Sequence, residues 1–330
     1  MNRRDFVKKS VFAGTATASL SFSKKEGYKM AGNEYSESNK KARNRSKGKK
    51  KTVTLATVLS GRYGYDEALE KAGAWINQAA GLGASHICFP EYYFDNDRKA
   101  DGTLSRGAID DGHLVSELII LAKKYSIAIV MGLTEKVHNR RFELWDYYNT
   151  ALFVDEKGIR GRHRKVFLWV DAEWDADRIV PGNEGENYYP YPPVCDERKK
   201  YLPGWSFECF AFGHLERVCG MLCADGLMPP TWSQIIPQSP QAIFYLNGRI
   251  NLLQRWGPDL GYISKKYGVP IVASNSSPES EAGIFDSDGK CVARLDHTEG
   301  IAVAKVTLGR GQPNEPVRIR HWDGEPMEML

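Results

Sequence analysis

The sequence predicts an α/β fold in which helices cover mixed β-sheets. Apolar, β-branched runs of strand length alternate with helix-length segments that carry one apolar face. The middle of the chain adds a hairpin signal, Asp155-Glu-Lys-Gly158, between two further strand patterns. Alternation of strands and helices favours parallel pairing, whereas a hairpin requires antiparallel pairing, so both kinds of pairing are expected.

The first half of the folded body follows this alternation closely. The β-branched run 51–59 predicts a buried first strand, and apolar residues at helical spacing predict a helix over 66–80. Gly81 and Gly83 are expected to end that helix. The other elements predicted in this half are strands at 85–89, 127–133 and 147–154 and a helix at 114–125.

The second half contains mainly strand patterns. A helix is predicted over 251–267, with an interruption at Gly257-Pro258. The chain is expected to end in a meander of three short strands, followed by an extended tail over 310–330 that is rich in Pro, Gly and charge. The strands predicted here are 205–212, 216–222, 241–246 and 270–274, and the meander comprises 283–285, 291–294 and 301–306.

Composition allows a large core and locates the basic charge. The chain has 330 residues, 42% of them hydrophobic. Residues 1–51 contain 15 of the 45 Lys/Arg and 4 of the 41 Asp/Glu, which leaves 30 basic and 37 acidic residues in 52–330. The folded body is therefore mildly acidic, and no nucleic-acid partner is predicted.

The N-terminal segment resembles an export signal. Arg3 and Arg4 precede a short apolar run, as in twin-arginine leaders, and this run is too short to span a membrane. We therefore predict a leader over 1–22, a basic disordered linker over 23–51, and a periplasmic or exported protein. Alternatively, the arginine pair is incidental and the protein is cytoplasmic.

The six cysteines of the chain allow disulfides but do not dictate them. An even number in an exported chain is typical of disulfide pairing. Cys219 and Cys223, however, share one predicted strand and would lie about 13 Å apart, beyond the ~7 Å that a disulfide spans. The spacings of Cys and His give no zinc pattern, so no metal is predicted. We expect mostly buried small hydrophobic residues and one reactive thiol.

Three reactive side chains each follow a predicted strand. Glu91 comes directly after Ile87-Cys-Phe-Pro90, Lys165 lies in Arg164-Lys-Val-Phe-Leu168, and Cys223 ends Arg217-Val-Cys-Gly-Met-Leu222. Taken singly, the glutamate and the lysine could be surface residues, and the cysteine could belong to the core. Together, a carboxylate, an ammonium and a thiol are the groups that attack a C–N bond through sulfur.

This ordered set resembles the nitrilase, or carbon–nitrogen hydrolase, superfamily and its Glu-Lys-Cys triad. The resemblance covers a domain over 52–309 and implies a four-layer αββα sandwich with mixed sheets. It also implies that Glu91 is the general base, that Lys165 holds the oxyanion and lowers the thiol pKa, and that Cys223 is the nucleophile. Members usually pair through a helix face, so a homodimer or a larger homo-oligomer is expected.

The same resemblance suggests supporting residues. Glu173, ahead of Pro181-Gly182, best matches the second glutamate of the family, and Glu184 and Glu186 are rivals. Further residues are expected to bind substrate or the oxyanion: Ala224, Asp225, Tyr92 and Asn275, although Asn275 alone could equally be a plain turn residue. Cys-Ala-Asp resembles amidases rather than the Cys-Trp-Glu of nitrilases, and Pro229-Pro230 departs from the usual Pro-Glu.

The resemblance implies a hydrolase that cleaves an amide or an N-carbamoyl compound through a cysteine thioester, without metal or organic cofactor. Alternatives with the same triad are nitrile hydrolysis and acyl transfer to an amine, and another is a non-catalytic member that only binds ligand. A nicotinamide dehydrogenase is disfavoured because Gly81-Leu-Gly follows a helix and lacks the third glycine. The chain also has no Gly-x-Ser-x-Gly turn for a serine hydrolase.

Overall fold

The structure is a computed structural model that describes residues 51–94, 112–169, 197–248, 257–276 and 280–309, with the backbone of two short strands beyond them. The predicted leader and nearly all of the linker lie outside these residues, so export stays a prediction. Among the described residues, no helix has the length and apolar character needed to cross a membrane.

The described elements comprise fourteen strands and four α-helices. The strands are β1 (Thr52–Leu59), β2 (His86–Cys88), β3 (Ala128–Asn139), β4 (Leu144–Asp155), β5 (Gly158–Arg164), β6 (Phe210–Phe212), β7 (Leu215–Leu222), β8 (Ala242–Leu246), β9 (Ile271–Ser274), β10 (Glu281–Phe285), β11 (Cys291–Asp296), β12 (Gly300–Thr307), β13 (Arg318–Arg320) and β14 (Pro326–Glu328). The helices are α1 (Tyr65–Gly81), α2 (His113–Tyr125), α3 (Pro229–Ile235) and α4 (Gly257–Tyr267).

Twelve of these strands form two sheets of six. The first sheet has the order β12-β1-β2-β3-β4-β5, and the second has the order β11-β10-β9-β8-β7-β6. In each sheet three neighbouring strands pair in parallel, β1-β2-β3 in the first and β7-β8-β9 in the second. The remaining pairs are antiparallel. The predicted mixture of pairings is thus confirmed.

The two sheets pack face to face with helices outside them. One apolar cluster, including Val130, Phe153 and Phe244, fills the space between the sheets. A second cluster joins the first sheet to α1 and α2, and a third joins the second sheet to α3 and α4. Because the parallel strands are covered on both faces, they need continuous rather than alternating apolar residues, as β8 shows with five buried residues in a row. This is the predicted αββα sandwich.

Some element boundaries differ from those predicted. β6 covers only the last three residues of the strand predicted over 205–212, while β3 and β4 extend as a long hairpin well past their apolar segments. The expected closing meander is wrong in one respect: β12 leaves β10 and β11 and pairs with β1 in the other sheet, over Thr52–Leu59 and Gly300–Thr307. Within the predicted tail, β13 and β14 pair with each other.

A buried histidine links the two sheets and makes stability depend on pH. His86 in β2 is fully buried, and its Nε2 donates to the carbonyl oxygen of Phe212 at 3.2 Å. Burial lowers the pKa of His86 to about 3. The unfolded chain, with a His pKa near 6.5, binds a proton that the folded chain excludes, so stability present above pH 6.5 is lost as pH falls.

We therefore expect the free energy of unfolding to fall by about 2 kcal/mol between pH 7 and pH 5 through this one residue. Denaturant titrations at a series of pH values measure it. His86→Gln should flatten that part of the profile, whereas His138→Gln, at an exposed position in β3, should leave it unchanged. Parallel profiles for wild type and His86→Gln would contradict this assignment.

Candidate active site

The three predicted triad residues lie just beyond the ends of strands. Glu91 follows β2, Lys165 follows β5 and Cys223 follows β7. The backbone N–H of Glu91 also donates to the carbonyl oxygen of Asn247, the residue after β8, at 3.3 Å. β2 of the first sheet and β8 of the second therefore end side by side. Both belong to the parallel part of their own sheet, and α/β sheets bind ligands at the carboxyl ends of such strands.

Close backbone packing fixes Glu91. The turn Pro90-Glu91 lies so near β3 that a Cβ on Gly132 would lie 2.2 Å from the carbonyl oxygen of Pro90, so only glycine fits there. The Glu91 carboxylate is buried, and its Oε1 accepts from Nδ2 of Asn149 at 2.7 Å and from Nζ of Lys165 at 3.0 Å. A carboxylate held by two donors on one oxygen has a defined orientation.

Lys165 is a fully enclosed ammonium between two carboxylates. Its side chain is 1% exposed, and Nζ lies 3.0 Å from Oε1 of Glu91 and 2.9 Å from Oε2 of Glu197. Its backbone N–H donates to Asn149 at 2.8 Å, and its carbonyl oxygen accepts from the N–H of Gly204 at 2.8 Å. The strand β4 and the loop that contains Gly204 therefore hold the lysine from both sides.

Cys223 occupies a strained turn. It begins a short 3₁₀ helix, Cys223–Leu227, with φ of +43°, a value that residues other than glycine seldom adopt. The hydroxyl of Tyr245 donates to its carbonyl oxygen at 2.7 Å. A Cβ on Gly226 would lie 2.5 Å from the Tyr245 ring, so the turn needs a glycine to pack on this tyrosine. Strain at this position is typical of a presented nucleophile.

Burial and the nearby carboxylates keep the Cys223 thiol protonated at rest. Burial and the neighbouring Glu91 raise the pKa of Cys223 well above its usual value. Lys165 lowers the thiol pKa, as expected, but burial and the carboxylates outweigh it. Burial also raises the pKa of Glu91 from 4.5 to about 6, against the opposing effect of Lys165.

Lys165 itself stays charged. Burial alone would lower its pKa, but Glu91, Cys223 and Glu197 together raise it well above its usual value. One permanent cation therefore lies beside two carboxyl groups and one neutral thiol. In this arrangement a proton leaving sulfur has a nearby acceptor whose pKa suits neutral pH.

Glu197 is a site residue that sequence reasoning missed. Its carboxylate bonds Lys165 at 3.0 Å, accepts the backbone N–H of Trp169 at 2.6 Å and accepts the hydroxyl of Tyr92. The predicted second glutamate, Glu173, and its rivals Glu184 and Glu186 lie outside the described residues, so Glu173 stays a prediction. Glu197 lies within a run of charged residues, 196–200, that is typical of a surface, and no local signal marks it.

Tyr92 belongs to the same hydrogen-bond system. It has φ of +56°, and its ring stacks on Tyr201 with centroids 5.9 Å apart. The hydroxyl therefore faces Glu197 beside Lys165. This places the predicted substrate-binding residue next to the triad, where it orients the second carboxylate.

Asp225 joins the lysine segment to the cysteine turn instead of presenting its side chain to a ligand. Its carboxylate is fully buried. Its two oxygens accept four hydrogen bonds, from the backbone N–H groups of Val166 (3.0 Å), Phe167 (2.9 Å) and Leu222 (3.1 Å) and from Nε2 of His163 (2.8 Å). Because these donors flank Lys165 and Cys223 in the chain, Asp225 sets the separation of the two. Only its backbone, with that of Ala224, remains a candidate oxyanion donor.

Asn275 likewise works inside the fold. It forms a parallel bridge with Leu59, where β1 and β9 of the two sheets meet. Its Nδ2 donates to the carbonyl oxygen of Glu281 at 3.2 Å, and its Oδ1 accepts the N–H of Ser276 at 3.0 Å. The predicted strand-end asparagine is therefore found at the junction of the sheets.

A different amide does offer an unused acceptor beside the triad. Asn149 donates a hydrogen bond from Nδ2 to Glu91, so the second polar atom of the same amide, Oδ1, can only accept hydrogen bonds. Among the described residues, Oδ1 of Asn149 is one of three buried side-chain atoms without a hydrogen-bond partner. A buried acceptor of this kind is costly unless a ligand or water donates to it.

One group in the described part of the chain has the donor types of a metal site. Oxygen and nitrogen atoms of Glu281, Asp296 and His297 lie within 4.8 Å of one another. Arg294 already supplies positive charge there, with Nη2 at 2.5 Å from Glu281 and 2.7 Å from Asp296. We regard this cluster as an ion-pair network of the β10–β11 hairpin.

Comparison with known sequences decides the family. The sequence model of the carbon–nitrogen hydrolases matches residues 60–314, more than three quarters of the chain. The chain belongs to the carbon–nitrogen hydrolase family. This carbon–nitrogen hydrolase is accordingly assigned to enzymes that hydrolyse carbon–nitrogen bonds of small molecules. No curated protein sequence matches it.

Solved structures share the fold of this carbon–nitrogen hydrolase. One is a mutant amidase from Nesterenkonia sp. AN1 with the acetamide moiety of fluoroacetamide added to its active-site cysteine; identity is 15%, 79% of this chain and 92% of that chain are covered, and the TM-score is 0.59. Another is a carbon–nitrogen hydrolase from Helicobacter pylori G27, with 14% identity, coverage of 78% and 89%, and a TM-score of 0.59. At these identities the likeness establishes the sandwich fold.

Proposed function

We propose that this chain hydrolyses a small amide or N-carbamoyl compound to an acid and ammonia or an amine, through a thioester on Cys223. The observation that carries the proposal is the contact between three groups of complementary chemistry. Glu91 bonds the Lys165 ammonium at 3.0 Å, and the Cys223 thiol lies near enough to both that their charges shift its pKa. The proposed nucleophile, base and cation thus lie beside one another in space.

The proposed reaction begins with transfer of the thiol proton to Glu91. Asn149 and Lys165 both bond Oε1, which leaves Oε2 to take this proton. Sulfur attacks the carbonyl carbon, and the oxygen gains the negative charge. An ammonium has three N–H donors, so Lys165 can bond both carboxylates and still donate to this oxygen, together with the backbone N–H of Ala224.

The second half returns the proton. Glu91 protonates the leaving nitrogen, the C–N bond breaks, and an acyl group remains on sulfur. Glu91 then removes a proton from water, which attacks the thioester carbon and releases the acid. The Cys223 thiolate recovers the proton from Glu91, so the site ends as it began. This use of one carboxyl as base and then acid suits a pKa near neutrality.

The buried Oδ1 of Asn149 favours substrates that bear N–H groups. It lies on the residue that orients Glu91, so a substrate nitrogen that receives a proton from Glu91 can also donate to this oxygen. An amide or carbamoyl nitrogen carries such hydrogens, whereas a nitrile nitrogen carries none. A nitrile would leave the acceptor unpaired, at a cost of about 1–3 kcal/mol.

A substrate screen tests the proposal. Amides, N-carbamoyl amino acids and nitriles are offered separately, and ammonia or amine release is followed with wild type and Cys223→Ala. We expect turnover of an amide or carbamoyl compound by wild type alone. Release of product only when an amine is added would replace hydrolysis by acyl transfer, and preference for nitriles would contradict the role given to Asn149.

The raised pKa of Glu91 predicts where activity is lost at low pH. Only the carboxylate accepts the thiol proton, so kcat/KM should be flat above about pH 6 and fall about tenfold per unit below it. A glutamate with its ordinary pKa would place this acid limb of the pH profile, where kcat/KM falls, near pH 4.3. Initial rates across pH 4–8 measure it, with circular dichroism confirming that the protein stays folded.

Two matched variants assign that limb. Glu91→Gln should reduce kcat/KM by about 10³-fold and abolish the limb. Glu70→Gln, on the exposed side of α1, should keep both rate and limb. A wild-type limb centred near pH 4 would show that Glu91 is not the titrating base.

A further inference from the structure

Two cysteines lie opposite each other on neighbouring strands of the second sheet. β6 and β7 are antiparallel, and Phe210 pairs with Val218. Cys209 comes one residue before Phe210 and Cys219 one residue after Val218. The same register continued by one step places the two cysteines directly across from each other, where Cα atoms of antiparallel strands are about 4.5–5.5 Å apart.

The side chains point to the same face. Cys219 is part of the apolar cluster between the second sheet and its helices, and Cys209 packs against that cluster from the side. The sulfur of Cys219 lies 3.4 Å from the carbonyl oxygen of Glu208, the residue next to Cys209. The Cα separation expected from the register falls within the range that disulfides span, about 4.4–6.8 Å. The pair therefore has the geometry of a cross-strand disulfide in its reduced form.

The two thiols also differ in the way that stepwise oxidation needs. Cys209 is partly exposed, whereas Cys219 is buried. The neighbouring Cys219 lowers the pKa of Cys209, with a smaller contribution from Arg217, and Cys209 and burial raise the pKa of Cys219. Cys209 is thus the accessible thiol that ionises first, and Cys219 lies beside it as the resolving thiol.

Other described cysteines lack this arrangement. Cys88 is fully buried with its sulfur 3.5 Å from the hydroxyl of Ser274. The exposed Cys291 has its sulfur 3.4 Å from the carbonyl oxygen of Ala293. Cys223 is engaged with Glu91 in the site described above. Facing positions across β6 and β7, beside one apolar cluster, are what distinguish Cys209 and Cys219.

We propose that Cys209 and Cys219 are a site of reversible oxidation, which closes an intramolecular disulfide between β6 and β7 when the protein meets a disulfide oxidant. The Cys209 thiolate attacks the oxidant's S–S bond, forms a mixed disulfide and releases one thiol. Cys219 then loses its proton and attacks the Cys209 sulfur, and the second thiol leaves. Two electrons pass to the oxidant, which becomes two thiols, and the protein loses two hydrogens.

The bridge would secure the strand that carries the nucleophile. β7 runs from Leu215 to Leu222 and leads directly into Cys223, while β6 is a three-residue strand at the edge of the sheet. A covalent link between the two removes freedom from the unfolded chain and holds the edge in place. We expect oxidation to raise the midpoint of thermal unfolding by about 3 °C or more.

Peptide mapping tests the proposal. The full-length protein is incubated with oxidised glutathione or with dithiothreitol, free thiols are alkylated, and tryptic peptides are analysed by mass spectrometry. Cleavage after Arg217 separates Cys209 from Cys219, so a bridge appears as two linked peptides. The second peptide also contains Cys223, so the experiment is repeated with Cys223→Ala to exclude that partner.

The proposal expects the linked peptides in oxidised wild type and oxidised Cys223→Ala, with the higher unfolding midpoint. Cys209→Ser should remove both effects, and Cys291→Ser should remove neither. Complete alkylation of both cysteines after oxidation would overturn the proposal. So would a glutathione adduct that persists on Cys209, or a linkage that disappears in Cys223→Ala.

Discussion

Replacing Cys223 with alanine should reduce kcat for the preferred amide by at least about 10⁴-fold and leave the fold unchanged. The substitution removes the sulfur whose pKa responds to Glu91 and Lys165, so the proposed thioester cannot form. It removes only one heavy atom, and Cys223 lies in a turn rather than in an apolar cluster, so we expect little loss of stability. Initial rates and the thermal unfolding midpoint measure the two halves of the expectation.

A second cysteine provides the control for this result. Cys291→Ala changes the same atoms at an exposed position of β11 and should leave kcat within about twofold of wild type. Brief reaction with substrate followed by intact-mass measurement should show the added acyl group on wild type and none on Cys223→Ala. Wild-type turnover by Cys223→Ala would eliminate the thioester mechanism.

Local patterns were sufficient to predict the strands that carry the triad. Parallel strands that are covered on both faces must be apolar throughout. A polar residue directly after such a run is therefore expected at the end of the strand, outside the apolar core. Glu91 and Cys223 are found by this rule, because Glu91 ends the apolar run that begins with the buried strand β2 and Cys223 directly follows β7. Lys165 follows the partly exposed β5, and only its motif context distinguished it from a surface lysine.

The rest of the site depends on contacts between distant segments. Glu197 reaches Lys165 across 32 positions of sequence, and its neighbours suggest an exposed turn. Asp225 was expected to bind substrate or the oxyanion, yet its carboxylate accepts hydrogen bonds from backbone groups that only tertiary structure brings near. The same holds for β12. Its apolar pattern predicts a strand but does not determine which of the two sheets the strand joins, and it pairs with β1.

Replacing Lys165 with methionine should impair both catalysis and folding. Methionine keeps much of the side-chain volume but leaves the Glu91 and Glu197 carboxylates, each within 3.0 Å of the lost ammonium, without a shared cation. Breaking a buried ion pair from one side costs about 3–5 kcal/mol of stability. Loss of the charge that we propose to hold the oxyanion should lower kcat by at least about 10³-fold.

The stability defect of Lys165→Met should also depend on pH in a defined direction. Without the cation, burial and the charge of Glu197 raise the pKa of Glu91 with nothing from Lys165 to oppose them, and the folded state holds a proton that the unfolded state releases above about pH 4.3. The defect should therefore be largest near pH 8 and shrink towards pH 5. Denaturant titrations at both pH values measure it.

The matched control is Lys199→Met, which makes the same substitution at an exposed position two residues after Glu197. It should change the free energy of unfolding by no more than about 0.5 kcal/mol and leave kcat intact. The ion pair between Lys165 and its two carboxylates is the physical basis of the proposed site. A Lys165→Met protein as stable and active as Lys199→Met would mean that the enclosed ammonium is neither the cation of the reaction nor the partner of Glu91.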